Sequence, residues 1–439
     1  MSFLIYDLIF LAVFLVLLSI FLYTRKHNLK REGLLFLYKA TWGIRLIDYI
    51  GSRYKRTFKF LSYISIATGY LLMIGIFYLV YSIAKIYLFN PDIVRAIKVP
   101  PILPLVPYLP QIFKLDFLPP FYFTYWIIIL AVIAISHEFA HGIFAVHNKV
   151  KIKTTGFGFF PFFLPIFLAA FVELDEKAMA KKKKFTQMAI LSAGTFSNVL
   201  TAILFFGVLV LFFFMAFSPS GIIFDSYATS TIAISGISMV NGIPLNNASY
   251  NNLLENLNET GLNEIKVGSK EYLTTKEILE KQKDNQENIL VYNSAPAIKE
   301  KLGSIITEIN NVKIDNIDKL VEELSRYSPG DEVIIKTKLE EEGFTEKALV
   351  LEEYPEKPGV AWLGIGFINQ ERPGIIGKIV NALSSFKKPH VYYEPKFNGI
   401  SLFIYNLLWW LILISISVAL INMLPVGIFD GGRFFYLTV

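Results

Sequence analysis

The sequence predicts a polytopic α-helical membrane protein of about five spans, with an inserted soluble α+β region. Three observations predict it. The 439-residue chain is 54% hydrophobic and 15% aromatic, well above soluble usage. Five runs, 8–24, 60–84, 121–136, 185–224 and 398–429, contain no Lys, Arg, Asp or Glu, and about 20 helical residues cross a hydrocarbon core. Composition then turns polar and short-patterned from about 220 to about 395.

Residues 1–120 read as an N-terminal membrane anchor region. No positive charge precedes the first run and no clear small-residue cleavage site follows it, so it is expected to stay as an anchor. Arg25, Lys26, Lys30, Arg31, Lys39, Arg45, Arg53, Lys55, Arg56 and Lys59 separate the first two spans. Such a basic loop is expected in the cytoplasm. Lys149, Lys151, Lys153 and Lys181–Lys184, between spans three and four, fall on the same side by alternation. The net charge of +6 therefore reads as topology, and no nucleic-acid partner is expected. Between these spans, 34–50 mixes apolar residues with Lys39, Arg45 and Asp48, the mark of an interfacial helix. The prolines of 99–113 exclude a regular helix interior and point to an external loop on the membrane surface.

Residues 121–219 carry the first chemistry. "AISHEFAHGIF" (134–144) sets His137 and His141 four apart, so both imidazoles leave one helix face within reach of a single ion. Zinc takes imidazole nitrogen at about 2.0–2.1 Å and, in catalytic sites, keeps one position open for water. Glu138 stands ready to take that water's proton. The chain has no cysteine, and its other histidines (His27, His147, His390) lack this spacing, so any metal is held by His, Asp or Glu. The bland alternative is two histidines hydrogen-bonded between packed helices. Ionisable groups within a span cost about 3 kcal/mol each by insertion scales, which favours a used site. After this span, 154–172 is uncharged but holds two prolines and two glycines, features of a re-entrant or hairpin segment rather than a straight crossing.

Residues 220–395 form the insert. "VNGIPLNNASYNNLLENL" (240–257) and "INNVKIDNIDKLVEEL" (309–324) repeat one pattern of apolar residue, Asn, turn, apolar residue and short amphipathic helix. Asn241-Gly242 and Asn310-Asn311 suit tight strand connections. With the strand pair expected in 328–353, the order resembles a PDZ domain over 295–355 and, less fully, over 228–260. Such modules bind extended peptides by strand addition; a plain α+β spacer remains the alternative.

Residues 396–439 hold the last span. In "INMLPVGIFDGGRFF" (421–435), Asp430 is the first charged residue after more than thirty uncharged ones, as Pro425, Gly427, Gly431 and Gly432 break the helix. Irregular backbone at membrane depth is tolerated where it lines a cavity. Asp430 is either a third metal ligand or a helix cap. The apolar run up to Val439 points to a further span beyond it, as in a C-terminally truncated chain.

Three ordered motifs, His137-Glu138-Phe139-Ala140-His141, Gly194-Thr195-Phe196-Ser197-Asn198, and Asn422-Met423-Leu424-Pro425 with Phe429-Asp430-Gly431, resemble the site-2 protease family of intramembrane zinc metalloproteases, peptidase family M50. The resemblance covers about 121–217 and 398–436. It implies zinc as cofactor, Asp430 as third ligand, and Glu138 as general base and then proton donor to the leaving amine. It sets Asn422, Asn198 and Pro425 at the substrate, the two asparagines holding backbone or an oxyanion unless they merely pack helices. It also implies a strand hairpin at 154–172 whose edge pairs with substrate.

The expected function is zinc-dependent endopeptidase cleavage in or near the transmembrane segment of another, pre-cleaved, membrane protein. The chain is expected in the cell membrane's lipid bilayer, basic loops inside and PDZ-like insert outside as a size filter. The sequence sets no oligomeric state. A membrane-anchored PDZ-like scaffold or chaperone with an inactive metal site is the alternative, against which the intact Glu138 argues. A metal or ion transporter is a third class, against which the concentration of ionisable groups at one site argues.

Overall fold

A computed structural model describes residues 3–32, 35–90, 94, 105–115, 118–159, 168–246, 248–283, 287–339, 343–368 and 374–439. The chain divides into two compact units, Met1–Met215 with Asn398–Val439, and Ala216–Phe397.

The first unit is built on α1 (Phe3–Thr24), the shorter α2 (Ile44–Arg53), α3 (Lys55–Phe89), α4 (Phe123–His147), α5 (Lys184–Ala216), α6 (Asn398–Asn422) and the terminal α7 (Asp430–Thr438). Among the described residues, all but α2 and α7 are long and apolar enough to cross a membrane, which makes this an integral membrane protein with five candidate spans. Large apolar side chains such as Val16, Leu17, Leu71 and Ile74 are exposed, as lipid-facing surfaces require.

Asp7 on α1 is only 1% exposed. Its carboxylate accepts from Tyr108 Oη at 2.6 Å, Phe123 N at 2.8 Å and Thr124 N at 2.9 Å. The last two belong to the first turn of α4, where backbone donors lack intrahelical partners and the helix dipole favours a negative charge. A residue of the first span thus caps the third. Between α3 and α5, Ser65 and Ser192 share a hydroxyl hydrogen bond of 2.8 Å.

A four-stranded antiparallel sheet flanks the helices: β1 (Leu29–Glu32), β2 (Leu35–Ala40), β3 (Ile152–Phe159) and β4 (Leu168–Leu174), in that order. The interfacial helix expected over 34–50 is therefore confined to α2, and its first part is a strand. A short apolar run does not distinguish the two by periodicity. α2 packs on α4, with Ile47 fully buried; a Cβ on Gly51 would stand 2.8 Å from the Ile143 carbonyl oxygen. The strands of the expected 154–172 hairpin pair from Ile152 to Leu174, while 160–167 lie outside the described residues. Gly156 is needed because its Cβ would collide with the Tyr38 carbonyl oxygen. Of the Pro-rich stretch, 99–104 also lie outside the described residues. Pro110 sits in the first turn of the one-turn helix Leu109–Ile112, where its missing donor costs nothing.

The second unit is α+β and holds two modules with separate apolar cores, one around Val240, Leu253 and Ile265, the other around Ile309, Leu320 and Ile335. The two sequence repeats share their local geometry. Asn241 and Gly242 have φ of 50° and 81°, Asn310 and Asn311 of 46° and 66°, the left-handed pair that a tight hairpin needs. The first asparagine of each pair clamps the strand beyond the next helix: Asn241 Oδ1 accepts from Glu264 N, and Asn310 Oδ1 from Ile334 N. The helices that follow, Tyr250–Glu255 and Ile317–Leu324, are capped by Ser249 and Asn316. Strands Phe217–Ile223 and Val391–Pro395 pair antiparallel, which draws the two ends of the unit together.

Candidate metal centre

His137 and His141 project from one face of α4, 7% and 8% exposed. Their Nε2 atoms stand 3.0 Å apart, and Asp430 Oδ2 lies 3.4 Å from the first and 3.2 Å from the second. Three corners of a tetrahedron around zinc, with bonds of 2.0–2.1 Å, are about 3.3 Å apart. The triad has that spacing.

The outer ring nitrogens explain why the inner ones converge. His141 Nδ1 lies 2.7 Å from the Ile190 carbonyl oxygen, which can only accept. Nδ1 therefore carries the proton, and in the neutral ring Nε2 presents its lone pair to the centre. His137 Nδ1 faces the amide of Asn198 at 3.0 Å, with Nδ2 toward the ring and Oδ1 buried without a partner. Turning the amide so that Oδ1 receives the Nδ1 proton gives Oδ1 a partner and frees the His137 lone pair as well. Three lone-pair-bearing atoms this close repel one another unless a cation lies between them, so the donor set fits zinc.

Helix α5 supplies this back wall at a four-residue interval. Ile190 offers its carbonyl, Asn198 its side chain, and Gly194 between them offers space. A Cβ on Gly194 would collide with His141 Nε2 and lie 2.5 and 2.6 Å from His137 Cε1 and Nε2.

Asp430 reaches the centre because the chain breaks between α6 and α7. A Cβ on Gly431 would lie 2.5 Å from the Met423 carbonyl oxygen, and one on Gly432 would collide with that of Val426. The two glycines thus let α7 start hard against the preceding turn. Phe429 occupies the cap position of α7 without a side-chain capping bond, and the Asp430 carboxylate turns to the histidines instead.

Glu138 Oε2 accepts from Val172 N at 2.9 Å, on the outer edge of β4. Glu138, the triad, Ala170, Val172 and Asn422 line a cavity of about 420 Å³. Of the three residues expected at the substrate, only Asn422 lines this space. Asn198 is fully buried behind His137, and Pro425 sits in the turn between α6 and α7, outside the lining.

Residues 125–439 match the family model described as Peptidase family M50. The chain belongs to that family. The M50 match contains all the site residues above and begins inside α4, leaving α1 to α3 outside it. The M50 chain is also 27% identical over 159 residues to the zinc metalloprotease RasP of Shouchella clausii (strain KSM-K16). That similarity spans 31% of this chain and 38% of the relative's length.

Proposed function

We propose that this M50 chain is a zinc endopeptidase of the site-2 protease type that cuts peptide bonds in or near transmembrane segments of other membrane proteins. The observation that carries the reading is the zinc-sized spacing of His137, His141 and Asp430 with Glu138 beside them, on helices with lipid-compatible surfaces. A zinc ion held by the triad supplies a Lewis acid that polarises a carbonyl and acidifies water.

The chain's own groups do the rest. Glu138, one oxygen fixed by the Val172 N–H, takes a proton from the attacking water with the other and delivers it to the leaving amine. Asn422, in the cavity wall, offers its amide to the substrate backbone. Among the described residues the outer edge of β4 pairs with no further strand, and it receives the substrate in extended form. That matters because an intact helix hides its peptide bonds. The basic loops are cytoplasmic and the insert lies outside, its PDZ-like modules admitting clipped partners.

The test is reconstitution in detergent with a generic single-span substrate, comparing wild type with Glu138→Gln, each with and without chelator. Cleavage should fall by about 10²- to 10⁴-fold in the variant, which keeps its zinc, and should stop on chelation. Persistent cleavage in either arm refutes the mechanism, and zinc binding without any cleavage favours a scaffold.

A further inference from the structure

Beside the larger cavity lies a smaller one of about 90 Å³, lined by apolar side chains that include Trp42, Leu130, Ala131, Ala134, Phe157 and Ala170. The two cavities share Leu130, Ala134 and Ala170. Trp42 closes the far side. It stands in the turn between β2 and α2, its ring centroid 6.1 Å from those of Phe139 and Phe157. Gly43, at φ 79°, lets that turn press on α4, since a Cβ there would lie 2.7 Å from Phe139 Cζ.

We propose that this pocket is a specificity subsite, which receives the aliphatic side chain of the substrate residue that pairs with Ala170 on the edge of β4. The proposal rests on the strand-addition reading above. Val172 turns its N–H away from β3, toward Glu138. The two-residue period of a strand turns the N–H and C=O of Ala170 the same way. An antiparallel substrate residue opposite Ala170 then exchanges both backbone hydrogen bonds with it. Its side chain must lie on the face Ala170 occupies, with the Cβ atoms about 4.5–5.5 Å apart.

That face already has a row across the sheet, Tyr38 opposite Phe157 and Phe157 opposite Ala170. Two rings are followed by a single methyl, and the volume missing over Ala170 is the pocket. Its 90 Å³, the scale of a valine or leucine side chain, is well below the roughly 150 Å³ of an apolar cavity that takes benzene. Lined almost wholly by apolar surface, it disfavours water and excludes a charge.

The experiment uses the full chain and a set of single-span substrates in which each residue near the cut is set in turn to Ala, Val, Leu, Phe or Asp. At one position, wild type should prefer Val and Leu over Ala and Asp by roughly 10-fold or more in kcat/KM. Ala131→Leu, which fills the pocket, should invert the Leu-over-Ala preference at that position alone, and Trp42→Ala should admit Phe there. Cleavage with preferences unchanged in both variants overturns the proposal. Strand addition is read separately by disulfide cross-linking of Ala170→Cys, in a Glu138→Gln background, to cysteines scanned along the substrate. The chain has no native cysteine to interfere. A cross-link at the selective position supports the subsite. A cross-link with unchanged preferences overturns the subsite alone, and no cross-link anywhere overturns both.

Discussion

Gly194→Ala is the sharpest perturbation of the centre. The added methyl would collide with His141 Nε2 and stand 2.5 and 2.6 Å from two atoms of the His137 ring, against an ordinary separation of about 3.5–4.0 Å. The rings have nowhere to retreat without leaving Ile190 and Asn198, which hold their outer nitrogens at 2.7 and 3.0 Å. Keeping the rings in place costs about 1–3 kcal/mol of overpacking. Turning them away gives up the orienting bonds, each typically worth 10- to 100-fold in metal affinity. The expected result is a zinc affinity about 100-fold or more below wild type. Helix propensity acts in the opposite direction, because alanine in a helix interior is favoured over glycine by about 1 kcal/mol. The metal-free fold should therefore survive. Zinc content, competition with a chelator of known affinity, and melting in excess chelator separate the two effects. A Gly194→Ala protein that binds zinc with wild-type affinity refutes the packing argument.

Other predictions are narrower. Asn198→Ala should weaken zinc roughly 10- to 100-fold and Asn198→Asp, which keeps an acceptor toward His137, much less; equal losses would refute the amide orientation assigned here. Asp7→Ala should destabilise the protein by about 1–2 kcal/mol through the lost cap on α4, seen as a lower melting temperature in detergent, and an unchanged melt would refute the cap. The Lys39 ammonium, 2.9 Å away, and the Thr154 hydroxyl hold the Glu173 carboxyl below the usual glutamate range. Its stabilising effect is complete above that range and is lost as pH falls through the depressed value. Lys39→Gln should flatten the acid limb of a stability-against-pH curve, and an identical limb would show that the pair contributes nothing.

The parts of the centre legible in the sequence are those that need only local geometry. The four-residue spacing of His137 and His141 fixes their common face within one helix. The helix break around Pro425 and Gly431 is equally local. Asp430 as ligand was not separable from Asp430 as cap without the family pattern, because nothing local brings it to α4. The resemblance sets Asn198 either at the substrate or between packed helices, because a lone polar group in a span announces a partner without naming it. The partner is a ring nitrogen on another helix. The strand character of Leu35–Ala40, where composition suggests helix, comes from pairing with β3, a non-local contact. Asp7 carries its own signal in the sequence: a carboxylate at the head of an apolar span needs donors, and the start of α4 supplies them.

The insert between α5 and α6 also sets a clock. His141 precedes Asp430 by 289 residues. At about 5–20 residues per second of synthesis, roughly 15–60 s separate the second ligand from the third. On the proposed ligand set, a growing chain holds both histidines and Glu138 in the bilayer for that whole interval without the carboxylate that completes the centre. The proposed centre thus stays incomplete until the residues beyond the insert, Asp430 among them, have been made.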